Sequence, residues 1–86
     1  MPEISRFLGI IIAMYYNDHA PPHFHAKYGE YEIRVNIETG EIMSGNFPKR
    51  AEKLVLEWRQ LHVDELIQDW QRAEQRQPLE RIEPLE

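Results

Sequence analysis

Residues 23–37 constrain the fold more than any other part of the chain. Tyr31, Ile33, Val35 and Ile37 alternate with Glu32, Arg34 and Asn36, the period of a strand buried on one face. His23 to Tyr28 reads as its partner strand. The two are joined by Gly29-Glu30, a glycine-first pair suited to a type II′ hairpin. With that loop, Tyr28 faces Tyr31, Ala26 faces Ile33 and Phe24 faces Val35. Directly opposed residues share a face of the sheet, so this apolar face is predicted to pack on helices. On the other face Lys27 opposes Glu32, His25 opposes Arg34 and His23 opposes Asn36. A slip of one residue would mix the two sets, and the pattern therefore argues for this register.

The rest of the chain fits around the hairpin. Phe7 to Tyr16 reads as a first strand, apolar on both faces and hence central in the sheet. Asn17 to Pro22 cannot continue it, because proline has no backbone donor for a ladder. Thr39-Gly40 makes a turn and Glu41 to Ser44 a short fourth strand. Pro48 suits a first helical position, with Asn46 a cap just upstream. Ala51, Leu54, Val55, Trp58 and Leu61 recur at helical spacing, and Leu66, Trp70 and Ala73 continue the series. The apolar stripe shifts by about a quarter turn across His62-Val63-Asp64, at 3.6 residues per turn. A break near His62 is favoured over one curved helix, and Gln77-Pro78 ends the helical region. The prediction is one α+β domain over residues 1–78. It is a small, mostly antiparallel sheet of about four strands, with C-terminal helix (one bent helix or two) on one face. Residues 79–86 are predicted to form a loose, charged tail.

Composition narrows the function classes. With no cysteine, disulfides, thiolate zinc sites and a cysteine nucleophile are excluded. The longest apolar run, Leu8 to Met14, is too short to span a bilayer. Met1 to Arg6 lacks the basic region and cleavage site of a signal peptide. A cytoplasmic protein is expected. A net charge of −5 argues against broad, nonspecific nucleic-acid binding, which needs basic surface.

The stretch Asn17-Asp18-His19-Ala20-Pro21-Pro22-His23-Phe24-His25-Ala26 holds three of the four histidines and two of the six prolines. Imidazole titrates near neutrality and is the commonest metal ligand. On a strand, His23 and His25 point the same way, about 6.5 to 7 Å apart. The proline step can fold Asp18 and His19 back over them. The predicted constellation is Asp18, His19, His23, His25, Arg34 and Asn36 on the helix-free face, bordered by Tyr15 or Tyr16.

Three readings follow from those residues. In an acid–base site for an anion, His23 or His25 transfers protons and Asp18 orients His19. Arg34 then clamps a phosphate or carboxylate beside Asn36. In a metal site, His19, His23 and His25, with Asp18 as a further donor, hold zinc or a similar divalent ion and leave a position open. Arg34 beside His25 speaks against a cation there. In the third reading the residues serve structure: Asn17 and Asp18 as turn formers, the prolines as loop stiffeners, the histidines as solvated strand residues.

Ile4-Ser5-Arg6-Phe7, Met14-Tyr15-Tyr16-Asn17-Asp18-His19, Pro21-Pro22-His23-Phe24-His25-Ala26 and Ile37-Glu38-Thr39-Gly40-Glu41 together resemble a small bacterial domain-of-unknown-function family, family 4160. Leu56-Glu57-Trp58 and Trp70 look like it too, so the match covers nearly the whole chain. The resemblance implies a small single-domain protein, encoded beside another small domain of unknown function. Some members have been proposed as toxin–antitoxin components. It thereby implies a protein partner and an RNA target, and identifies no catalytic residue. The acidic charge suits protein binding better than RNA cleavage. The expectation is a toxin–antitoxin-type component whose histidine site handles an anionic group such as an RNA phosphate. The alternatives are a zinc-type metal-binding protein and a non-catalytic module that meets a partner through a sheet face or edge. Self-association stays open.

Overall fold

A computed structural model describes residues 2–86. Five strands precede two helices: β1 (Glu3–Phe7), β2 (Ile10–Ala13), β3 (His23–Tyr28), β4 (Tyr31–Asn36), β5 (Ile42–Asn46), α1 (Lys49–Leu61) and α2 (Val63–Glu74). The strands form one antiparallel sheet in chain order. The expected α+β class is therefore observed, with five strands in place of about four.

The additional strand comes from the segment read as one strand over Phe7 to Tyr16. Leu8 and Gly9 take φ of 52° and 82°, the pair of left-handed residues that closes a two-residue hairpin. Phe7 consequently faces Ile10, and the run becomes a β1–β2 hairpin. β2 lies between β1 and β3, which agrees with its apolar character on both faces. The predicted β3–β4 register holds pair for pair, from His23 opposite Asn36 to Tyr28 opposite Tyr31. Gly29 supplies the positive φ, 58°, that its loop requires. β5 runs two residues later than expected. The register shift between Arg34 and Val35 and the positive φ of Gly45 accompany the move.

Phe24, Ala26, Ile33 and Val35 are fully buried on one sheet face, with Ile10 and Ile12. α1 covers that face through Ala51, Val55 and Trp58. The Trp58 ring lies 5.6 Å from Phe7 and 5.7 Å from Phe24. Arg59 ties the same helix to the β4–β5 turn, donating to the carbonyls of Ile37 and Glu38. The helices part at His62, as the shift in apolar stripe predicts. This lets α2 bury Leu66, Trp70 and Ala73 on its own line.

The segment after α2 departs from expectation. Residues 79–86 are not a loose tail; they lie against β1 and the helices. The Ile82 N–H donates to the Ile4 carbonyl of edge strand β1, and Ile82 is 5% exposed. Trp58 Nε1 donates to the Glu83 carbonyl at 2.8 Å, the partner a buried indole N–H requires. Arg81 pairs with Glu3, whose carboxyl Arg6 and Arg81 together hold below the ordinary carboxylate range. Asp69, fully buried, accepts from Arg72 and from the Glu80 N–H. Each contact is long-range, so hydrophobic pattern within the segment could not reveal it.

Two outcomes test this packing in urea denaturation. Ile82→Ala is expected to cost about 2 kcal/mol, the low end for a buried isoleucine; an undocked tail would give no change. A Cβ on Gly45 would sit 2.0 Å from the Glu32 carbonyl oxygen, whereas one on Gly29 meets nothing within 4 Å. Gly29→Ala is therefore expected to cost about 1 kcal/mol, from its positive φ alone. Gly45→Ala is expected to cost about 3 kcal/mol, strain and overpacking together.

Candidate functional site

The site forms where the chain returns from β2 to the start of β3. Prolines 21 and 22 have no N–H to enter a ladder, and the chain turns here instead. Asn17 takes φ 62°, a left-handed value that asparagine tolerates better than most residues. The Asp18 side chain ends between the rings of His23 and His25. Its Oδ1 accepts the His19 N–H at 2.9 Å. Its Oδ2 lies 2.9 Å from His23 Nε2 and 3.2 Å from His25 Nε2. The two rings are 5.3 Å apart, so both project to the same side of β3 as the register demands.

Burial is graded across the cluster. The side chains of His23, His25 and Asp18 are 2%, 12% and 19% exposed. The expected helix-free face is therefore only partly free. Trp70 of α2 packs against His23 at 5.2 Å, and Tyr15 meets His25 edge-on at 4.6 Å. Burial pushes the Asp18 carboxyl pKa up. The His19 N–H and the contacts with His25 and His23 outweigh it, and the group ends below its ordinary value.

The far nitrogens of both rings are also engaged. His23 Nδ1 lies 2.8 Å from the Pro21 carbonyl oxygen, and His25 Nδ1 lies 3.0 Å from Glu32 Oε2. A carbonyl can only accept, so His23 Nδ1 carries the proton. In a neutral ring Nε2 then presents a lone pair, and here that lone pair meets a carboxylate oxygen. His25 stands between two carboxylates and has the same conflict. A second proton on each ring, or one cation shared by both Nε2 atoms and Asp18, resolves it.

The donor atoms of Asp18, His23 and His25 all lie within 4.8 Å of one another. With bonds of about 2.0–2.1 Å, neighbouring donors sit ~2.9 Å apart at octahedral angles and ~3.4 Å apart at tetrahedral ones. The two distances to Asp18 fall in that interval.

Other predicted residues are not brought into the cluster. His19 contributes only its backbone N–H, and its exposed side chain lies outside the group. Asp18 therefore orients His23 and His25, and not His19 as expected. Arg34 donates through Nε to Ser44 on β5 at 2.8 Å. Asn36 Oδ1 accepts the Glu38 and Thr39 N–H groups of the following turn. Neither of the two expected anion-binding residues makes a hydrogen bond to the histidines. Tyr15, expected at the border, is there; Tyr16 instead donates to the Gln77 carbonyl.

Two contributors were missed. Glu32 was read only as the partner of Lys27, although it sits diagonally across from His25 on the same face, within reach of a long side chain. Trp70 was read as core, and no local signal distinguishes that role from covering His23.

A comparison with known families matches residues 9–71 to the family described as Domain of unknown function (DUF4160). No curated protein and no solved structure matches the chain. The matched span includes Asp18, His23, His25 and their partners Pro21 and Glu32, and covers well over half the sequence: the chain belongs to this domain-of-unknown-function family.

Proposed function

We propose that the protein binds one divalent transition-metal ion through Asp18, His23 and His25. The observation that carries this reading is the acceptor at every nitrogen of both rings. Metal-ligating histidines characteristically donate their other N–H to a backbone carbonyl or a carboxylate. The Pro21 carbonyl and Glu32 stand at those positions. With Nδ1 protonated, each Nε2 lone pair is directed at the shared point beside Asp18.

The competing arrangement keeps two imidazolium rings around one carboxylate, with His23 almost wholly enclosed. An enclosed charge is costly unless well paired, and the two rings would share the same Asp18 oxygen. A single ion satisfies all three donors together. Two imidazoles and a carboxylate suit zinc, iron(II), cobalt, nickel or manganese, and not calcium, which favours oxygen ligands alone. The anticipated objection from Arg34 is weakened by its bond to Ser44. His19 is not among the ligands in this reading.

Tag-free protein, stripped with a chelator and titrated with zinc in a calorimeter, is expected to take up one ion per chain. Zinc at 100 times its Kd is expected to raise unfolding stability by about 2.7 kcal/mol, reversed by chelation. Asp18→Asn and His25→Ala are each expected to weaken binding at least 100-fold while keeping the fold by circular dichroism. His19→Ala is expected to bind as wild type. Absence of uptake of zinc, manganese, iron(II), cobalt and nickel would overturn the reading.

A further inference from the structure

Three protein donors leave at least one coordination position open on a zinc-type ion. Asp18 also borders a small cleft between the chain after β2 and the end of α2. Its other walls are Tyr15, Asn17, Trp70, Ala73 and Glu74. Trp70 and Glu74 are four residues apart on α2 and therefore lie on one helix face, a turn apart. Trp70 packs on His23, so Glu74 extends the same wall beside Asp18. Among the described residues, no hydrogen bond or ion pair engages the Glu74 carboxylate. The cleft has room for a water molecule or two, with polar groups to hold them.

We infer that this cleft is a hydrolytic site for phosphate esters, with Glu74 as the general base acting on a water bound to the ion. The inference rests on the metal reading above. Glu74 has the place of a base rather than a ligand, since it lies outside the group of donor atoms within 4.8 Å of one another. A bound divalent ion supplies Lewis acidity that makes its water acidic enough for a carboxylate to deprotonate.

An anionic substrate is favoured by charge. Asp18 offsets one of the ion's two charges, which leaves a net positive centre. The Lys27 ammonium lies 5.6 Å from the centre of the Tyr15 ring, and Tyr15 is itself a wall of the cleft. Phosphoryl oxygens thus meet two positive groups, and the remaining walls are largely apolar.

In the step, Glu74 takes a proton from the water. The water oxygen forms a new bond to phosphorus, the bond from phosphorus to the leaving oxygen breaks, and Glu74 returns its proton to that oxygen. One water is consumed, and no oxidant or reductant is needed.

The test compares wild type, Glu74→Gln and Asp18→Asn, each assayed with zinc or manganese on bis(p-nitrophenyl) phosphate. Zinc affinity is measured on the same preparations. Wild type is expected to exceed the free ion at equal concentration. Glu74→Gln is expected to lower kcat by about 10² to 10⁴-fold, the scale of general-base catalysis, with zinc affinity unchanged. Metal-loaded wild type no faster than the free ion overturns the hydrolytic inference and leaves the metal site standing. So does turnover that Glu74→Gln leaves intact. A loss of zinc affinity in Glu74→Gln matching that of Asp18→Asn makes Glu74 a ligand and overturns its role as base. Absence of metal uptake by wild type overturns both readings.

Discussion

Shifting β4 by one residue against β3 would pair core residues with histidines and leave neither face consistent. The observed register places Phe24 and Ala26 beneath Trp58 and sends His23 and His25 to the opposite side with Glu32. Core and site are therefore two readings of the same alternation. The tight loop at Gly29-Glu30 and the burial of Ile33 and Val35 enforce the register from both ends of the pair. A histidine pair at adjacent same-face positions gains a fixed spacing from a strand that the core already holds rigid.

That rigidity supports a locally unfavourable arrangement. Two rings aimed at one carboxylate, with acceptors behind both, leave too few protons for the lone pairs if the rings are neutral. Such conflicts are uncommon where structure alone is served, because buried polar groups are generally satisfied. Local rules fail most often at functional sites, where the surrounding fold compensates. Here the compensation comes from Trp70 and Tyr15 packed on the rings, and from the proline-stiffened return that holds Asp18.

The closing segment solves a different problem. β1 is an edge strand, and such strands are safest when covered. Residues 79–86 bond to Ile4 and Trp58 and anchor on Asp69. The same contacts hold α2 and the sheet edge together, and α2 is the element that brings Trp70 and Glu74 to the histidine side.

Much of this was legible in the residues themselves. The β3–β4 register, the shared face of His23 and His25, the break at His62 and the α+β class follow from local periodicity and turn chemistry, which act over a few residues and leave a direct trace. The Leu8-Gly9 hairpin was legible too, through Gly9, but the long isoleucine run concealed it. What only the tertiary structure decided depends on contacts between residues far apart in sequence. Asp18 folds onto His23 and His25 and leaves His19 outside; Arg34 turns to Ser44; Trp70 shields His23; and Ile82 docks on Ile4. Periodicity states which face a side chain takes, but the neighbour that face meets is chosen by how the whole chain closes.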